Sequence, residues 1–230
     1  IAQCLVGSEM CIRDRSKRAR KMLDEAGLQC CKIVASNSLD EYLIRDLMMQ
    51  EAKIDTFGVG ERLITAKSAP VFGGVYKLAA VEDEQGNIIP KIKISENTTK
   101  ITNPHYKKLY RFYDNESGKA LADELCVYDE TIDGTKPHTI FDPDAIWKTK
   151  TLTDYSVKEL HVTVFKNGEL VYKQPSLFEI KRYCAEQTET LWDEVKRFEN
   201  PHTYYVDLSK KLWDIKNALL EKSKDGKDLK

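Results

Sequence analysis

No run of apolar residues approaches the roughly eighteen needed to cross a bilayer, so a membrane is not an expected partner. There is no surplus of charge either: Lys and Arg number 36 against 37 Asp and Glu. A protein built to grip duplex nucleic acid needs a strong basic excess, and nucleic acid is therefore not expected. The basic run Arg13–Lys21 is broken by Asp14 and reads as the solvated face of a helix. None of the six cysteines, Cys4, Cys11, Cys30, Cys31, Cys126 and Cys184, shows the paired spacing of a zinc site. No metal ligand set is expected from them, and reduced thiols in a cytoplasmic protein are the reading. A convincing secretion signal, an internal repeat and a low-complexity linker are all missing.

What is present is enough chain for a real core: 230 residues, one large domain or two small ones. The chain is organised around residues 54–78. A short apolar run with Ile54 and Phe57 breaks at Gly58-Val59-Gly60, and a helix-capable stretch follows over 61–66. Strand, glycine turn, helix start is a recipe for holding phosphate. Glycines let backbone approach an anion, and the first N–H groups of a helix have no internal partner. The same pattern also makes ordinary tight turns, and on this stretch alone both readings stand.

Residues 1–15 show neither helical nor strand period and read as a non-native, adaptor-like segment outside the fold; the other reading is a frayed native terminus. From Ser16 the pattern is regular. Ala19, Met22, Leu23 and Ala26 share a helical face that Gly27 terminates. The segment 32–35 predicts a buried strand ended by Ser36-Asn37. Ser38 to Glu41 has the form of a capping box with Ser38 as cap, ahead of a helix whose apolar ridge is Leu39, Leu43 and Leu47. Helices alternating with short apolar strands imply parallel strands. In such folds the loops after the strands gather at one end, where ligands bind. Ser36-Asn37 and Gly58-Val59-Gly60 are two successive loops of that kind, expected to be neighbours.

After Gly74 the pattern predicts an antiparallel β region, with strands at 74–81, 88–94, 107–113, 120–128 and 138–141 and a hairpin, 160–166 with 169–172, turning on Asn167-Gly168. A second capping box at Ser176–Glu179 opens a long helix whose stripe is Leu177, Ile180, Cys184, Leu191, Val195 and Phe198. A last helix follows Asp207-Leu208-Ser209, with Leu212, Trp213, Leu219 and Leu220 inward. A charged, disordered tail is expected from Glu221.

Several segments together resemble the nicotinate phosphoribosyltransferase family: KIVASNSLDE (32–41), GVGERLITA (58–66), GGVYKL (73–78), PKIKISEN (90–97), KITNP (100–104) and LWDEVKRFENPH (191–202). The likeness runs from about Ser16 to Lys222. It implies a type II phosphoribosyltransferase: the carboxyl-terminal part of an irregular α/β barrel (16–80), then a β-rich α+β domain with two carboxyl-terminal helices (81–222), then a disordered tail (223–230). It also implies that nicotinate attacks the anomeric carbon of phosphoribosyl pyrophosphate, with Mg²⁺ and coupled ATP hydrolysis, in a homodimer. On the family's pattern the sugar-phosphate cradle falls on Gly58, Val59, Gly60, Glu61 and Arg62, beside Ser36 and Asn37. Lys77 and Lys93 match positions suited to polyphosphate, though each also reads as a solvated or packing lysine. Arg62 equally reads as a surface ion-pair partner.

The departures are as informative. The family's acidic Asp-Ser-Gly-Asp segment would precede Ser16, where Met10–Arg15 stand instead, and its phosphorylated histidine lies further upstream. His105, His138, His161 and His202 match no such motif, and His105 takes a place that in the family is usually Gly. No catalytic residue is therefore assigned, and the chain is expected to be an inactive carboxyl-terminal portion by itself. The alternatives are a nicotinamide- or quinolinate-type relative and a non-catalytic phosphate-binding or assembly module.

Overall fold

The computed structural model describes residues 9–71, 73–97 and 100–224. The chain divides into two compact units, Ile1–Val75 and Tyr76–Lys230.

In the first unit, helix α1 spans Glu9–Glu25. It ends as its glycine predicts. Gly27 takes a φ of +75°, the Gly27 amide donates to the Asp24 carbonyl (3.1 Å) and the Leu28 amide to the Leu23 carbonyl (2.8 Å), the two bonds of a Schellman end. The helix starts well before Ser16, however. Ile12 is buried in the core, and the fully buried Ser16 hydroxyl donates to the Arg13 carbonyl (2.7 Å) and accepts from the Lys53 amide (3.0 Å). The expectation that residues up to Arg15 stand outside the fold is thus corrected for Glu9–Arg15; the earlier ones lie outside the described residues. One apolar anchor and one buried hydroxyl hold this turn, too sparse a signal to read as a period.

Strands β1 (Val34–Ser36) and β2 (Thr56–Gly58) pair in parallel with Val34, Ala35 and Ser36 opposite Thr56, Phe57 and Gly58. Between them α2 spans Glu41–Met49. Its cap is Asp40, whose side chain accepts from the Leu43 amide at 2.9 Å. The predicted Ser38 box is displaced by two residues, because Ser38 sits at a φ of +50° in the turn that leaves β1. Leu39 and Leu47 are buried with Ile12, Ala35 and Ala52, and Leu43, Ile44, Ile54, Phe57 and Val59 pack against them. α3 is a single turn, Glu61–Ile64, shorter than the predicted 61–66, and its Leu63 and Ile64 are exposed.

The second unit is mainly antiparallel. A hairpin pairs β3 (Ala80–Glu82) with β4 (Ile88–Pro90), both shorter than the predicted runs. β5 (Lys107–Asp114) and β6 (Ala120–Val127) form the centre of a four-stranded sheet, with β9 (Tyr155–Glu159) beside β5. β12 (Val206–Leu208) lies parallel beside β6. A separate hairpin, β7 (His138–Asp142) with β8 (Ala145–Leu152), supplies Ile140 and Leu152 to a cluster with Phe112, Ala122 and Tyr155. Alternate residues of β6, Leu125 and Val127, point the other way, into a cluster with Leu208 and with Leu212, Trp213 and Ile215 of α5 (Lys210–Lys224). The Asn167-Gly168 turn joins β10 (Phe165–Lys166) to β11 (Glu169–Leu170), with both turn residues at positive φ as a type I′ turn requires.

Two helical expectations need correction. α4 keeps its Ser176–Glu179 capping box but spans only Leu177–Glu189, and its stripe is not buried: Leu177, Ile180 and Cys184 are exposed. The Thr190 amide bonds back only three residues, to the Gln187 carbonyl, and irregular turns follow to Pro201. The tail reading fails for Glu221–Lys224, which continue α5; residues 225–230 lie outside the described residues.

Candidate functional site

The parallel register places Ser36 beside Gly58 at the carboxyl ends of both strands. The two loops that follow are consequently side by side, as strand-end loops of a parallel pair must be. Ser36 donates from its hydroxyl to the Gly58 carbonyl at 3.1 Å. A Cβ added at Gly58 would stand 3.1 Å from that hydroxyl oxygen, so glycine here permits the approach of the two strand ends. A Cβ at Gly60 would meet nothing within 4 Å: the space in front of it is open.

Backbone strain accompanies the corner. Asn37 (φ +97°) and Ser38 (φ +50°) are both left-handed without being glycine. Such conformations cost on the order of 1–3 kcal/mol each and cluster where ligands are held. On the neighbouring corner Gly60 caps α3 without a side-chain bond, and the Glu61 and Arg62 amides, in the first turn, have no intrahelical acceptor.

Asp40 links the corners. One carboxylate oxygen caps α2, and the other pairs with Arg62 Nη1 of α3. Arg62 therefore spends part of its fork on Asp40, and with the pair 41% and 16% exposed it is a modest tether rather than a strong one. Of the two readings of Arg62, the ion-pair one is seen here. The role of Asp40 was missed, although an acidic residue directly before a helix is a strong cap signal. Val59 turns inward and packs on the core cluster, leaving only its backbone for any ligand.

Lys77 and Lys93 belong to the second unit. Lys77 Nζ donates to the Lys100 carbonyl at 3.0 Å, and the Lys93 amide to the Thr102 hydroxyl at 3.1 Å. The histidines hold local structure. His138 Nε2 lies 2.7 Å from Glu124 Oε2, His161 Nδ1 accepts from the Leu109 amide (3.1 Å), and the His202 amide donates to the Glu194 carbonyl (2.8 Å). His105 has a φ of +78°, a conformation that glycine adopts at least cost. Among the described residues no group of three or more His, Cys, Asp or Glu side chains could hold a metal, and none of the helices is long and apolar enough to cross a membrane.

A parallel β-α corner pair carrying glycine and left-handed loops, followed by a β-rich unit, defines a mixed α/β chain. Residues 106–216 match the nicotinate phosphoribosyltransferase C-terminal domain family. The chain is 42% identical over 201 residues to nicotinate phosphoribosyltransferase of Bacillus subtilis (strain 168), covering 87% of this chain and 41% of that protein. It is 34% identical to the Dictyostelium discoideum nicotinate phosphoribosyltransferase, covering 94% of this chain and 38% of that one. The crystal structure of human nicotinic acid phosphoribosyltransferase shares the fold at a TM-score of 0.65 and 22% identity, over 94% of this chain and 39% of that chain. The chain thus belongs to the nicotinate phosphoribosyltransferase family and spans about two fifths of the length of these relatives.

Proposed function

We propose that this chain is the carboxyl-terminal portion of a nicotinate phosphoribosyltransferase and supplies the place where the phosphate of phosphoribosyl pyrophosphate is held. The observation that carries the reading is the register of β1 with β2, which sets Ser36-Asn37 against Gly58–Arg62. In the whole enzyme the pyridine nitrogen of nicotinate forms a bond to the anomeric carbon as the bond to pyrophosphate breaks. This chain's part is to fix the ribose end through its phosphate, so that the anomeric carbon stays in line. Backbone amides at Gly60, Glu61 and Arg62 and the remaining donors of Arg62 suit an anion. Gly60 keeps the approach clear.

The same proposal makes β1 and β2 part of a barrel completed by further strands, makes the enzyme a cytoplasmic homodimer, and gives it Mg²⁺ and ATP as partners. Among the described residues no group of three or more His, Cys, Asp or Glu offers a site for the metal. Lys77 and Lys93 are retained as candidate polyphosphate contacts.

The test is Gly60→Asp in an enzyme with its upstream sequence restored. A carboxylate placed in the open space before Gly60 should raise the KM for phosphoribosyl pyrophosphate by roughly two orders of magnitude, the scale of losing a charge-assisted anion contact, with the KM for nicotinate little changed. Unchanged kinetics would remove the site from this corner.

A further inference from the structure

Along β6, Ala122, Glu124 and Cys126 share one face, the face on which the β7–β8 hairpin packs. β12 lies beside β6 with Asp207 directly opposite Glu124. Both carboxylates are inside the fold, at 5% and 2% exposure. From β7, Asp142 adds a third negative charge acting on Asp207.

The other groups facing this place do little to offset Asp207. His138 of β7 is committed to Glu124, with Nε2 2.7 Å from Oε2. Lys148 of β8 reaches Asp142 at 3.7 Å. On β6 the Cys126 thiol is pushed up by burial and stays neutral. Glu130 accepts from the Ser209 hydroxyl (2.7 Å) and the Val127 amide (2.6 Å). On α5, Lys210 pairs with Asp214 and Lys211 with Asp129. Arg111 bonds Asp123, which points to the opposite face of β6. Among the described residues no ion pair reaches Asp207.

Two like charges directly opposite in a ladder repel, and burial removes the water that would screen them. A proton on the buried Asp207 carboxyl resolves the conflict. We propose that Asp207 takes up a proton in the folded unit, so that the seating of β12 on β6, and of α5 behind it, is proton-linked: tight in mild acid and looser toward alkaline pH. The strand pair is then a built-in pH-responsive latch on the carboxyl-terminal segment. Burial, then Asp142 and Glu124, push the Asp207 carboxyl up to about 6 from its ordinary 3.8. The folded form therefore binds more protons than the unfolded form between those values. Its advantage is complete below the lower one and is lost as pH rises through the upper one.

Hydrogen exchange on the intact chain tests this. The Ser209 amide, which donates to the Leu125 carbonyl at 3.0 Å, and the β12 amides report the latch. Their protection factors should fall about tenfold between about pH 5 and about pH 7.5, the ratio that linkage gives for such a shift. Asp207→Asn should make the profile flat over that range. The same profile in both proteins would overturn the proposal. Should the variant fail to fold, carbon-13 titration of the Asp207 carboxyl in the unaltered chain decides: a midpoint near 6 supports the proton on Asp207, and one near the ordinary 3.8 contradicts it.

Discussion

In the second unit a four-stranded sheet is packed on one face by the β7–β8 hairpin and on the other by α5, each contact with its own buried cluster. The first unit pairs only two strands of three residues, rests on one cluster of five buried side chains, and leaves Leu63, Ile64, Val71 and Val75 exposed. The unit with the larger sheet is the one in which most strands meet their sequence neighbours. The parallel pair must instead close a crossover through α2. Strand-end loops of this kind come from the second kind of construction, which is why the candidate anion site lies in the unit with the smaller sheet.

The sharpest way to break that contrast is Phe112→Ala. Phe112 is fully buried, stacks on His138 at 5.1 Å and meets Tyr155 edge-on at 5.4 Å. Its removal should cost the second unit about 3–5 kcal/mol. All three tryptophans, Trp147, Trp192 and Trp213, belong to that unit, so urea unfolding followed by tryptophan fluorescence reads it selectively. The expected result is a large drop in the midpoint, and a loss below about 1 kcal/mol would mean the cluster is not the core.

A smaller change probes the other side of the comparison. Asp40→Ala removes the α2 cap and releases Arg62, for about 1 kcal/mol, nearly all from the cap because the ion pair is partly solvated. Faster hydrogen exchange at the Leu43 amide, with the tryptophan transition unmoved, is the expected signature. A shift of the tryptophan transition would show that the two units unfold together.

Much of this was legible in the sequence, and unevenly so. Signals that act through a single residue came through: Gly27 ending α1, Ser176 with Glu179 opening α4, and Asn167-Gly168 turning a hairpin. The pairing of the two strand-end corners was also readable, since alternation of helix and strand leaves few other arrangements. Features that depend on partners far along the chain were not. β12 is three residues long and exists because β6 offers an edge, so nothing local announces it. The stripe of α4 is periodic yet exposed, and periodicity says which residues share a face, not what covers it. The start of α1 is held by Ile12 and by the Ser16 bond to Lys53, 37 residues away. At the site, Asp40 hid inside a plausible Ser38 box because the positive φ at Asn37 and Ser38 cannot be inferred from residue type alone.

The claim on which the rest turns is that the Ser36-Asn37 and Gly58–Arg62 corners together hold a sugar-borne phosphate. The most direct measurement is a nitrogen-15 NMR titration of the chain with phosphoribosyl pyrophosphate, and with inorganic phosphate beside it. Weak, saturable shifts confined to the amides of Ser36, Asn37 and Val59 to Arg62 are the predicted result. Shifts centred elsewhere, or none at millimolar ligand, would contradict it.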